Sequence, residues 1–211
     1  MSIEPIEKVR GLYGMVDLTV GAPPAEALAT ALLDGGARVL QLRMKGSGAG
    51  AMLATVAALR PLCRRRDAVL IVNDRLDVAL AGGADGVHLG QDDLPLSAAR
   101  RLAPRGFLIG VSTHDEAQAL AAVEGGADYL GFGPVFSTGT KANPDPVVGL
   151  AALAALCKRV AIPVVAIGGI SLDTVGEVVA AGAAAAAIIA AINRAFDPAA
   201  AARRVTEAFS F

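Results

Sequence analysis

Four related tetrapeptides punctuate the chain: Gly35-Gly36-Ala37-Arg38, Gly82-Gly83-Ala84-Asp85, Gly125-Gly126-Ala127-Asp128 and Ala181-Gly182-Ala183-Ala184. Each stands between an Ala/Leu-rich stretch with helical spacing and a short apolar run. Glycine supplies the left-handed residue that ends a helix, and the small alanine lets the chain turn tightly into a strand. The motif returns about once every two strand–helix units, as an eight-unit α/β barrel with two-fold quasi-repetition would show.

The rest of the chain fits that register. Strands are predicted at Leu12–Asp17, Arg38–Arg43, Ala68–Asn73, Gly86–Leu89, Phe107–Val111, Tyr129–Phe132, Pro163–Ile167 and Ala186–Ala190. Ala68–Asn73 is the kind of continuous apolar run that is buried on both faces. Helices are predicted from Pro23-Pro24 to Asp34, at Ala49–Arg64, Arg75–Ala81, Leu96–Leu102 and His114–Glu124, from Gly149 to Val160, and at Leu172–Ala181 and Pro198–Phe209. A doubly wound open sheet would want a glycine-rich turn after its first strand, and Val16-Asp17-Leu18-Thr19 is not one. The expectation is α/β: a single (β/α)8 TIM barrel domain over residues 1–211, with 54% hydrophobic residues to fill its core.

Composition narrows the partners. The net charge is −1, aromatics are 4% and tryptophan is absent, which argues against a nucleic-acid groove or stacking platform. The Ala-rich segment Ala183–Ile192 is too short to span a membrane. The first residues, Met1-Ser2-Ile3-Glu4-Pro5, lack the basic and apolar regions of a signal peptide. Cys63 and Cys157 are far apart without metal-binding spacing, so they read as reduced packing residues. A cytoplasmic protein is expected, with homo-oligomerisation left open.

In a barrel of this type the chemistry sits at the C-terminal strand ends. There, Gln41-Leu42-Arg43-Met44-Lys45 alternates faces, so Gln41, Arg43 and Lys45 share one and Leu42 and Met44 the other. Two cations beside a hydrophobic strand call for an anion; the plainer reading is a strand running out into solvated charge. Asp74 and Asp93 follow neighbouring strands, and two carboxylates near cations, without clustered His or Cys, favour Mg2+ shared with a phosphate over zinc. Alternatively, Asp74 caps the next helix and Asp93 belongs to the Gln91-Asp92-Asp93 turn. Gly168-Gly169 follows the seventh strand, where backbone N–H groups can approach an anion. The polar loop Ser137–Pro146, with Thr138, Thr140 and Lys141, suits oxyanion binding or a solvated surface. His88 reads as a hydrogen-bonded interior residue and His114 as a helix-start residue. Asp85 and Asp128, at the opposite end, read as structural. The inventory suggests two phosphorylated groups bound at once, one of them with Mg2+.

The sequence resembles the thiamine phosphate synthase family over essentially its whole length. The likeness runs through Leu12-Tyr13…Asp17, Gln41–Lys45, Ile71-Val72-Asn73-Asp74-Arg75, Gly86-Val87-His88-Leu89-Gly90-Gln91-Asp92-Asp93, Ile109-Gly110-Val111-Ser112-Thr113-His114, Gly131–Lys141 and Ala166-Ile167-Gly168-Gly169-Ile170. That resemblance implies a transferase joining a pyrimidine pyrophosphate to a thiazole phosphate with release of pyrophosphate. It implies that Gln41, Leu42, Arg43, Met44, Lys45, Asn73, Ser112 and Lys141 hold the pyrimidine pyrophosphate, and that Arg43, Lys45 and Lys141 stabilise the leaving group. By the same resemblance Asp74 and Asp93 ligate Mg2+, and Thr138, Gly139, Thr140, Gly169, Ile189 and Ala190 hold the thiazole phosphate. The partners implied are small phosphorylated molecules, not nucleic acid or membrane.

The chain departs from the family pattern at its eighth strand. Ala184-Ala185 and Ala190 stand where the family usually has Asp-Gly and a serine, which removes one phosphate hydrogen bond worth on the order of 1–3 kcal/mol. Two other readings stay open here: a thiazole tautomerase of the same fold with His114 as acid–base residue, and a non-catalytic phosphate-ligand sensor.

Overall fold

The computed structural model describes residues 4–18, 23–138 and 145–210. Among them, strands β1 (Gly11–Asp17), β2 (Val39–Arg43), β3 (Val69–Asn73), β4 (Gly86–Leu89), β5 (Leu108–Thr113), β6 (Tyr129–Phe132), β7 (Val164–Ile167) and β8 (Ala185–Ile188) close into a parallel barrel in sequence order. Helices α1 (Ala25–Asp34), α2 (Ala49–Arg65), α3 (Leu76–Gly82), α4 (Leu96–Leu102), α5 (Glu116–Glu124), α6 (Gly149–Arg159) and α7 (Val175–Ala180) follow the first seven strands in turn. A short helix α8 (Ala190–Asn193) and then α9 (Pro198–Ala208) follow β8. No helix among the described residues is long and apolar enough to cross a membrane.

Alternation along each strand divides the apolar residues into two bodies. The outward set, including Leu12, Leu40, Leu42, Leu70, Val87, Ile109 and Leu130, packs under Leu28, Leu32, Val56, Leu59 and the other buried helix residues. The inward set fills the barrel, with Tyr13, Met15, Val39, Val69, Ile71, Leu108, Tyr129, Val165, Ala185 and Ala187. A 3-10 turn at Pro5–Lys8, which the sequence reading did not foresee, places Ile6 and Val9 against the bottom of this inner set.

The repeats work as the sequence suggests. Gly36, Gly83, Gly126 and Gly182 take positive φ of 97°, 65°, 84° and 92°, at corresponding places before β2, β4, β6 and β8. The aspartates that follow two of them are structural: Asp85 accepts from Leu70 N at 2.8 Å and Asp128 from Ile109 N at 2.6 Å. Each carboxylate ties the start of its own strand to the strand before it. Asp128 also pairs with Arg100 at 2.7 Å.

The eighth strand is a correction. It was expected at Ala186–Ala190, but its ladder to β1 ends at the pair Gly14–Ile188, and Ile189 already has helical-region angles of −100° and −75°. Ile189 and Ala190 therefore open α8 instead of ending β8. Alanine is the best helix former and a poor strand former, so nothing in the run extends the strand.

Two glycine substitutions should have opposite signs. A Cβ on Gly126 meets nothing within 4 Å, so Gly126→Ala should cost about 1 kcal/mol through its left-handed backbone alone. Gly50, in α2 with equally open surroundings and no positive φ, should gain about 0.5 kcal/mol as Gly50→Ala. Urea unfolding of both variants checks the pair.

Candidate active site

A cavity of about 690 Å³ opens at the C-terminal ends of the strands. Gln41, Arg43, Lys45, Asn73, Asp74, Asp93, Ser112, Thr138, Gly169, Ile189 and Ala190 all line it. Leu42 and Met44 point the other way into the outer core, as strand alternation requires, so only their backbone can face a ligand. Gly139, Thr140 and Lys141 lie outside the described residues.

The two cations of β2 meet different anions. Arg43 Nη1 donates to Asp17 Oδ2 at 2.6 Å, where Asp17 is fully buried at the end of β1. Register sets this contact: Asp17 is the direct partner of Arg43 in the β1–β2 ladder. A buried carboxylate is tolerable only with such a charged partner, and the pair fixes the guanidinium at the rim. Lys45 is more exposed and sits 3.7 Å from Asp74 Oδ2.

Asp74 is bent into place. Its φ of 63° is left-handed, a conformation that aspartate adopts more readily than most residues, and its N–H bonds to His88 O. The carboxyl of Asp74 meets that of Asp93. Burial first, then hydrogen bonding and charge repulsion from Asp93, push the Asp74 carboxyl up to about 6 against the pull of Lys45 and Arg43. Asp93 is held by its own loop, Oδ2 accepting from Gly90 N at 2.7 Å. Two carboxyls that crowd one space in this way fit a small hard cation between them. No group of three or more His, Cys, Asp or Glu able to hold a metal exists among the described residues. A two-carboxylate set leaves most coordination positions to water and substrate oxygens, which is the habit of Mg2+ in phosphate sites.

Below this rim lies a layer of hydrogen-bonded side chains. Gln41 Nε2 donates to Asn73 Oδ1 at 2.8 Å, and Tyr13 OH donates to Gln41 Oε1 at 2.8 Å. The hydroxyls of Tyr13 and Tyr129 are 2.7 Å apart; His88 Nδ1 lies 3.2 Å from Tyr129 OH, and His88 Nε2 lies 2.9 Å from Ser112 Oγ. Glycine makes the room: a Cβ on Gly110 would sit 2.5 Å from the Tyr129 hydroxyl, and one on Gly131 3.0 Å from His88 Cε1. Burial pushes His88 down to about 4, opposed by the charge of Asp93, so the ring is neutral near pH 7. Both tyrosine hydroxyls are pushed upward by burial and stay protonated. His88 is thus the interior hydrogen-bonded residue that its position in the sequence suggested.

Across the cavity, Phe136 N bonds to Gly168 O at 3.0 Å and Val135 N to Ile167 O at 2.9 Å, drawing the segment after β6 against the end of β7. Gly169, with φ of 66°, could not carry a Cβ, which would fall 2.7 Å from the carbonyl carbon of Phe136. Ser137, Thr138 and the Gly168-Gly169 backbone are brought together here, near the start of α8. His114 also lines the cavity; its Nδ1 donates to Gly133 O at 2.6 Å and its Nε2 lies 3.5 Å from Asp145 Oδ2.

Sequence reading did not single out Tyr13, Tyr129 or Met15 as lining residues, nor Asp17 as the partner of Arg43. The available signal was alternation: Tyr13 is two residues before Met15 and four before Asp17 on β1, so all three share the inward face.

Asp74 gives a pH signature in metal-free protein. Its folded-state value lies above the ordinary 3.8, at about 6, so the folded protein holds a proton that the unfolded chain has lost within that window. Its contribution to stability therefore falls as pH rises from about 4 to about 6. Asp74→Asn removes that slope. The stability of the variant relative to wild type should climb by roughly 3 kcal/mol across the window and then level off. Urea unfolding at a series of pH values tests this; a flat difference would show that the Asp74 carboxyl is not raised in the folded protein.

The chain has many relatives among known proteins. The family model described as thiamine monophosphate synthase matches residues 13–192. A thiamine-phosphate synthase of Methanospirillum hungatei JF-1 is 51% identical over 199 residues, covering 93% of this chain and 96% of that protein. One from Anaeromyxobacter dehalogenans is 50% identical, covering 96% of this chain and 89% of that protein. The solved thiamine phosphate pyrophosphorylase of Pyrococcus furiosus superposes with a TM-score of 0.88 at 38% identity, covering 96% of each chain. The chain belongs to the thiamine monophosphate synthase family.

Proposed function

We propose that this chain is a thiamine-phosphate synthase, a transferase that joins an aminopyrimidine methyl pyrophosphate to a thiazole phosphate and releases pyrophosphate. The observation that carries the reading is the crowded Asp74–Asp93 pair beside Arg43 and Lys45, facing the Gly168-Gly169 backbone across one cavity. It supports an anion site with a metal on one side and a second anion site opposite. Membership of the family supports the same activity.

In this reading the C–O bond to the pyrophosphate breaks with its electron pair leaving on oxygen. The thiazole nitrogen then forms the new C–N bond to the pyrimidine cation. Arg43, Lys45 and Lys141 stabilise the charge that grows on the leaving group, where fixed cations in a partly water-excluded site act most strongly. Asp74 and Asp93 would hold Mg2+, which when bound supplies further neutralisation of the pyrophosphate oxygens. Gln41, Asn73 and Ser112 orient the aminopyrimidine, while Thr138, Gly139, Thr140, Gly169 and the backbone at Ile189 and Ala190 hold the thiazole phosphate. No general base is required, because the attacking nitrogen carries a lone pair and no proton. The tautomerase reading is disfavoured, because a tautomerase has no pyrophosphate to ionise and so no use for the Asp74–Asp93 pair beside Arg43 and Lys45. The partners are then small phosphorylated molecules met in the cytoplasm.

Purified protein should release pyrophosphate only when Mg2+ and both substrates are present. Asp93→Ala should lower kcat/KM by on the order of 100-fold or more and weaken the dependence on metal. No pyrophosphate from wild-type protein would refute the synthase reading, and unchanged kinetics in the variant would remove Asp93 as a ligand.

A further inference from the structure

The polar layer beneath the rim contains more order than its distances alone convey. Each tyrosine and serine hydroxyl has a single proton to give, and a neutral imidazole has one N–H. Gln41 turns its Nε2 to Asn73 Oδ1 and its Oε1 to Tyr13, so the Tyr13 proton is committed to Gln41. At the Tyr13–Tyr129 contact the donor must then be Tyr129. With that proton spent, the Tyr129 oxygen accepts from His88 Nδ1–H. The remaining ring nitrogen, Nε2, has only a lone pair, so it accepts the proton of Ser112 Oγ. Every donor in the chain from Ser112 to Asn73 therefore points the same way.

We propose that Tyr13 and Tyr129 are positioning residues that impose this single proton order on the cavity wall, holding His88 in its Nδ1–H tautomer and Ser112 as a donor to His88. The two tyrosines are the only ones in the chain, and both are buried on the inward face of the barrel. Both ends of the relay line the cavity. At one end the Asn73 amide N–H groups remain for a ligand acceptor; at the other the Ser112 oxygen keeps its lone pairs for a ligand donor. A wall that donates at Asn73 and accepts at Ser112 suits a flat nitrogen heterocycle with a ring nitrogen and an amino group. It opposes an oxo analogue, in which that amino donor is replaced by an acceptor. This specificity rests on the synthase reading; the proton order does not.

The test is the imidazole 15N spectrum of His88, simplified by the chain having two histidines, with His114→Gln used for assignment. Wild-type protein at neutral pH should show a protonated Nδ1 and a bare Nε2. Tyr13→Phe removes a hydroxyl that makes no hydrogen bond to the imidazole, yet it releases Tyr129 to donate to Nδ1 and should move His88 to the Nε2–H tautomer. Ser112→Ala, at the far end, should leave Nδ1–H in place, which separates the relay from general disturbance of the pocket. A wild-type His88 in the Nε2–H form, or a tautomer unmoved by Tyr13→Phe, overturns the proposal. In turnover, Tyr13→Phe should raise KM for the pyrimidine pyrophosphate about tenfold with a smaller change in kcat. Absence of turnover in wild type with the expected tautomer would count against the synthase reading alone.

Discussion

A closed parallel barrel sends every second residue of each strand inward, and that inward stack has to be filled from floor to mouth. On β2 to β5 the lower inward positions are apolar or glycine and the upper ones polar, with Gln41, Asn73, His88 and Ser112 above Val39, Val69 and Leu108, while Met15, Ile167 and Ala187 keep the mouth ends of β1, β7 and β8 apolar. Buried polar groups are affordable only when paired, so these side chains bond to one another across the barrel through the Tyr13 and Tyr129 hydroxyls. The mouth rests on this layer. Gln41 cannot move without releasing Tyr13 and Asn73, and residues 43 and 45 continue from it on the same strand.

Above the layer the forces are electrostatic, and they are deliberately unequal. Arg43 is secured by a buried carboxylate, Asp17, and so is held as a fixed rim cation. Asp74 and Asp93 oppose each other, and their crowding is only partly relieved by Lys45. Left-handed backbone at Asp74 adds strain to the same spot. Such an arrangement is poorly satisfied by the protein alone and improved by a cation with an attached anion. The opposite wall, at Gly168-Gly169, offers backbone without side chains and suits a second anion. In the proposed reading these are two unlike anion sites in one cavity, as a reaction between two phosphorylated molecules needs.

Much of this was legible in the residues. The glycine-alanine punctuation gave the eight-unit register because left-handed helix ends leave a mark that few other structures do. The shared face of Gln41, Arg43 and Lys45 followed from period two alone, and the structural roles of Asp85 and Asp128 followed from their place at the N-terminal end of the barrel, away from the mouth. The tyrosines were not legible as site residues: an inward aromatic in a strand reads as core, and its hydroxyl acquires meaning only from strands distant in sequence. The pairing of Arg43 with Asp17 likewise needs the β1–β2 register. The end of β8 was misplaced because an alanine run has neither the alternation nor the β-branching that marks a strand.

The central claim is that the Asp74–Asp93 side of the cavity takes the pyrophosphate with its metal. Diffraction from crystals grown with Mn2+ and pyrophosphate, at a wavelength where manganese scatters anomalously, tests it most directly. The account predicts an anomalous peak within about 2.2 Å of oxygens from both carboxylates, with the diphosphate against Arg43 and Lys45. A metal away from both aspartates, or a diphosphate seated instead on Gly168-Gly169, would contradict it.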